Sequence, residues 1–200
     1  MRRETKAMQN IKRMYGGLNI DREAVAHKAK LLLKVYRDVA WVYICETDGV
    51  FKEVNELYSS TDPRDALTYL SDFAPIERHE DFVERVTNLF ETKWLIGLID
   101  RAMLRVYNYP HNGKLYHDIL AKCYTTRFPL SEYELLENFN LERSALYERK
   151  REATMLIGIA LWGFAIPELK FIFKEYGECW REIGHTYFTG ITSIISADSR

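Results

Sequence analysis

Apolar side chains recur at three- and four-residue steps along much of this 200-residue chain, the spacing of helices with one buried face. Leu32, Val35, Tyr36, Val39, Val42 and Tyr43 form such a face. They predict a helix that starts near Asp21 and runs to about Cys45, with Asn19 or Asp21 as cap and Glu23 in the first turn, where the helix dipole favours an anion. Thr47-Asp48-Gly49 breaks it. Trp41 to Cys45 is β-prone enough for a hairpin there, but Val54, Leu57 and Tyr58 resume helical spacing, so helix on both sides is the preferred reading. Asp62 can cap a short helix that opens at Pro63 and ends near Phe73. From Ile76 to Tyr107 only Gly97 interrupts. One long helix is expected there, or two joined near Gly97, with the apolar half from Leu95 to Leu104 buried.

The cluster Asn108-Tyr109-Pro110-His111-Asn112-Gly113 is a turn and a candidate subdomain boundary. Leu115 to Tyr124 is again amphipathic, and a short loop follows through Pro129. Pro167 can open a last helix, with Leu169, Ile172, Phe173, Tyr176 and Trp180 on one side. The stretch from His185 to Arg200 is β-prone, and is read as a docked extension or a dimer contact. Met1 to Asn19 is basic, ends at Gly16-Gly17 and is read as a short helix or a mobile arm, whose cations could touch phosphates but are taken as a solvated terminus. The expected fold is all-α: an N-terminal helical bundle over 1–108, a helix-turn-helix module over 109–165, and a C-terminal helix and tail over 166–200.

The module rests on Leu130 to Ala153. Ser131 and Glu134 have the S-x-x-E spacing of a capping box, in which hydroxyl and carboxylate each satisfy a backbone amide of the other residue. Leu135, Leu136 and Phe139 give the first helix its buried side. Asn140 tolerates the left-handed backbone that ends a helix and redirects the chain. Leu141 plugs the turn. A second helix, 142–162, buries Ala145, Leu146 and Ala153 and presents Arg143, Ser144, Tyr147, Glu148 and Arg151. Arginine can bond a guanine edge bidentately in the major groove, and Glu148 can accept from a cytosine amine. Ser144 and Tyr147 suit phosphates or base edges; Arg149 and Lys150 suit phosphates.

Composition narrows the class. Apolar residues are 47% and charged residues 28% of the chain, enough to build a core without metal or disulfides. The net charge of −1 argues against a basic coat for nonspecific nucleic-acid binding, yet permits a local basic face such as Arg149-Lys150-Arg151. Cys45, Cys123 and Cys179 share no metal spacing. His27, His79, His111, His117 and His185 make no H-E-x-x-H, and phosphate-loop and nucleophile-elbow motifs do not occur. Neither an enzyme nor a cofactor is expected. No signal-peptide pattern opens the chain, and no run approaches the ~18 apolar residues of a membrane span. A cytoplasmic protein without membrane contact is expected.

The run from Leu130 resembles sigma factor region four. It is similar, more closely, to the ArpU family of phage late-gene transcriptional regulators, over roughly Tyr109 to Gly163. Ser144, Tyr147, Arg149-Lys150-Arg151-Glu152-Ala153 and Leu161-Trp162-Gly163 carry that likeness, and the helix from Tyr116 to Tyr124 fits it. Asn140, Glu142 and Leu146 stand where Gly, Ser and an aromatic residue are commoner. The resemblance implies a sequence-specific regulator that binds double-stranded DNA. The N-terminal half would then supply dimerisation or a contact to RNA polymerase. Two other readings stand beside it: a helical protein–protein adaptor, and a small-terminase-like DNA-packaging subunit.

Overall fold

The computed structural model describes residues 4–45, 63–72 and 92–176. These are 83% helical and contain no strand, so the described chain is all-α, as the periodicity predicts. The expectations for residues 47–62, the first part of 76–107, Trp180 and the 185–200 tail lie outside the described residues.

Helix α1, Lys6–Gly17, starts at Thr5, whose hydroxyl accepts from the Met8 amide at 3.0 Å. Met8, Ile11 and Tyr15 lie on one face and are buried. This corrects the expectation of a solvated terminus: the basic residues fill the outer face of a docked helix. Asn19 turns the chain with φ 52°. Asp21 caps α2, Arg22–Cys45, by accepting from the amides of Glu23 and Ala24 at 2.9 and 3.1 Å. Helix α3 is Pro63–Asp72, with Pro63 in first place as expected. The buried Lys28 of α2 donates to the Ser71 carbonyl at 2.8 Å, a cation at the negative end of α3.

Helix α4, Thr92–Tyr107, runs through Gly97 without a break. The turn to α5, Gly113–Leu120, passes through Asn112 at φ 61°. A Cβ on Gly113 would stand 2.5 Å from the Tyr107 carbonyl oxygen and 2.7 Å from that of Val106, so only glycine permits this close approach. Helix α5 continues into a π-wound segment, Ala121–Thr125. Next come α6, Glu132–Phe139, and α7, Arg143–Gly158. Helix α7 passes without a gap into a second π segment, Ile159–Ala165, and then into α8, Ile166–Tyr176.

The stretch from Arg143 to Tyr176 is therefore one continuous rod, roughly 50 Å long at 1.5 Å per residue. The sequence predicted a break after Trp162-Gly163 and a fresh start at Pro167. Instead the wide π turns carry the chain across. They rearrange the carbonyls that a proline ring would strike in a regular helix.

This rod is the spine of the fold. Helices α1, α2, α4 and α5 pack around α7; α2 and α4 pack against the second π segment, and α3 packs on α8. Trp162 donates to the Leu70 carbonyl at 3.0 Å, tying the rod to α3. Buried side chains from both sides of the Asn108–Gly113 turn, such as Ile11, Leu32, Ile99, Ile119 and Ile157, belong to one core. By length and apolarity the helix Arg143–Phe171 could cross a membrane, since it holds an 18-residue stretch of mean hydropathy 1.4, but that stretch is 61% buried within the protein. Its apolar residues are the core of the bundle.

Candidate nucleic-acid interface

The corner formed by α6, its turn and the start of α7 holds all the residues singled out for DNA contact. Ser131 has extended backbone, accepts from the Glu134 amide at 3.4 Å, and has its own amide bonded to Glu134 Oε2 at 2.7 Å. The capping box read from the sequence is therefore formed. The Ser131 hydroxyl also donates to that Oε2 at 2.7 Å, and hydroxyl and amide together hold the Glu134 carboxyl below the ordinary carboxylate range. Asn140 adopts φ 48°, ψ 49°, and the Leu141 amide reaches back to the Leu136 carbonyl at 3.1 Å. Leu135 is buried, while Leu136, Phe139 and Leu141 are half-buried against the core. Glu142 opens α7 with extended backbone and no side-chain cap.

The seven proposed contact residues part company along α7. Arg143, Ser144, Tyr147 and Arg151 are exposed, and Glu148 is half-buried. Arg143 lies 2.6 Å from Glu132 Oε1 of α6, and Tyr147 donates to the other oxygen of Glu132 at 2.8 Å. The Tyr147 hydroxyl and the Glu132 carboxylate raise the Arg143 pKa. One carboxylate of the first helix thus pins two side chains of the second.

Arg149, Lys150 and Arg151 look like one cluster in sequence. Successive helix positions differ by about 100°, and Arg151 is exposed while Arg149 and Lys150 are half-buried. Arg149 turns inward and donates to Glu152 Oε2 at 2.7 Å. Lys150 lies 5.1 Å above the Tyr124 ring. Burial works against its charge, and the neighbouring Tyr124 and Cys123 offset this and hold its pKa up.

The inward turn has a cause that the sequence reading missed. Glu152 is completely buried. Its carboxylate accepts from Arg149, from the Tyr116 hydroxyl at 2.9 Å, and from the Thr5 hydroxyl. The sequence did hold a signal. Glu152 precedes Met155, Leu156 and Ile159 by three, four and seven residues, and all of these are buried. A carboxylate on that stripe needs an internal cation and donors, and Arg149 is the cation one turn away.

The surface of the corner is mixed in charge. Arg127, Arg143 and Arg151 are its exposed cations, and Glu134, Glu137 and Glu142 its exposed acids. Two aromatic rings, Phe128 and Tyr133, are 76% and 75% exposed. Among the described residues no cluster of His, Cys, Asp or Glu could hold a metal ion. Compared with known protein families, curated proteins and solved structures, the chain matches none of them.

Proposed function

We propose that the chain is a cytoplasmic, sequence-specific DNA-binding transcriptional regulator of phage or mobile-element type. The outer face of the first turns of α7 reads the major groove. The observation that carries this reading is the solvent-facing set Arg143, Ser144, Tyr147 and Arg151, presented at a corner built from a capped short helix and a left-handed turn residue. Arg143 and Arg151 are the base-reading candidates, and Ser144 and Tyr147 suit phosphate. Arg149 and Lys150 act from inside, by holding α7 in place. The remainder of the bundle serves dimerisation or a contact to RNA polymerase.

The test is selection from random duplex DNA at low salt. The wild type should enrich one motif, and Arg143→Ala or Arg151→Ala should each weaken binding to it by about 1–3 kcal/mol. Affinity should fall steeply with salt as counterions are released. Enrichment of no sequence at low salt would overturn the proposal.

A protein–protein adaptor is the second reading, and the acids of α6 favour it. Glu132 occupies Arg143 and Tyr147, while Glu134 and Glu137 face solvent. Such a surface suits a basic protein partner. Glu132→Gln separates the two. It frees Arg143 and removes a negative charge, so it strengthens DNA binding on the first reading and weakens the partner contact on the second.

A further inference from the structure

Far along the rod from this corner, α4, the second π segment and α8 line an open surface cavity of about 240 Å³. Its floor is Ala160 and Ala165, both buried, whose small side chains leave the space open. One wall is a stripe of α4 and the residue just after it: Arg101, Arg105 and Asn108, spaced four and three residues apart and so on one face. Glu168 of α8 stands opposite and accepts from Arg101 at 3.0 Å.

Arg105 is differently placed. Its guanidinium lies 4.1 Å from the centroid of the Phe164 ring, and among the described residues no carboxylate lies within ion-pair distance of it. A guanidinium resting over an aromatic ring is steadied by the ring, and its N–H groups not facing the ring can meet a planar or tetrahedral oxyanion. Among the described residues the lining carries two cations, Arg101 and Arg105, and one carboxylate, Glu168. π-wound turns also gather at functional sites.

We propose that this cavity binds a small free oxyanion, the carboxylate or phosphate group of a small organic ligand. Arg105 forks the anion, Asn108 supplies an amide beside it, and Phe164 fixes the fork. Glu168 engages Arg101, so Arg105 is the cation that meets the ligand. This site does not depend on what the α6–α7 corner binds.

The test is calorimetric titration of the full chain with inorganic phosphate and, separately, with succinate, at constant ionic strength. Saturable binding of either supports the proposal. Phosphate alone points to a phosphorylated ligand, and succinate alone to a carboxylate. Arg105→Ala should weaken the binding at least about tenfold, since it removes charge-assisted hydrogen bonds. Phe164→Leu, which keeps the arginine but not its backing, should weaken it roughly threefold. Both positions are exposed, so an unchanged helical circular-dichroism spectrum separates loss of binding from loss of fold. Saturable binding of neither anion, or the same affinity in Arg105→Ala as in the wild type, would overturn the assignment. So would loss of DNA binding in Arg105→Ala, which would make the cavity a contact to the nucleic-acid backbone.

Discussion

Glu152 decides more than any other single side chain described here. It joins the cap of α1, the middle of α5 and the exposed end of α7 through Thr5, Tyr116 and Arg149. Glu152→Ala takes the acceptor from the buried Tyr116 hydroxyl and from the half-buried Arg149, and should cost about 1–3 kcal/mol in urea unfolding. Glu152→Gln keeps an acceptor and should cost less. The same site predicts alkaline sensitivity. Burial, with the Glu152 carboxylate adding to it, lifts the Tyr116 pKa to about 12 from an ordinary 10.0. Burial likewise raises Tyr15 and Tyr36. Such groups ionise first in the unfolded chain. Their contribution is complete below pH ~10 and is lost as pH rises through the folded values. Urea midpoints measured from pH 8 upward should therefore start to fall near pH 10 and keep falling through pH ~12, and Tyr116→Phe should flatten part of that decline. The sequence displayed Glu152 on a core stripe, yet its partners come from positions as distant as Thr5, and no local pattern announces such a pairing. For the same reason Arg149 and Lys150 read as surface charge.

At the scale of elements, the local signals were legible and the long-range ones were not. Ser131, Glu134, Asn140, Asp21 and Pro63 act through backbone groups within a few residues, so their roles follow from type and spacing. Asn140→Gly should leave stability unchanged or raise it by up to ~1 kcal/mol, since glycine adopts the left-handed region freely. Asn140→Val should lower it by about 1–3 kcal/mol; thermal melts of the pair check both. The continuity of α7 and α8 was hidden because Pro167 and Gly163 are breakers by type, and π winding has no short sequence signature. Gly158 is another such case. Alanine ordinarily stabilises a helix interior by up to ~1 kcal/mol over glycine. Here a Cβ would stand 2.6 Å from the Tyr15 hydroxyl and 2.9 Å from Val25 Cγ1, and that hydroxyl is itself committed to the Met155 carbonyl at 2.7 Å. Gly158→Ala should therefore destabilise by about 1–3 kcal/mol, read from the urea midpoint. The reversed sign is the mark of close packing by α1 and α2 on the rod.

For the whole molecule, the all-α class followed from periodicity, while the role of the last helices did not. The sequence divides the chain at Asn108 and gives the helix pair a module of its own. In the folded chain α7 is at once the exposed second helix of that pair and the axis around which α1, α2, α4 and α5 assemble. Binding and stability are consequently coupled. A ligand at the corner grips the spine directly, so on the proposed reading saturating DNA carrying the selected motif should raise the melting temperature of the entire bundle in one transition. The continuous rod also bears on portability. A fragment limited to 109–165 would expose the faces of α7 that α1, α2 and α4 cover, and should fail to show cooperative melting by circular dichroism. A binding surface built this way cannot be cut out and grafted onto another protein as a cassette. Its lineage can change the residues at the tip of the rod freely, but it must inherit the scaffold along with them.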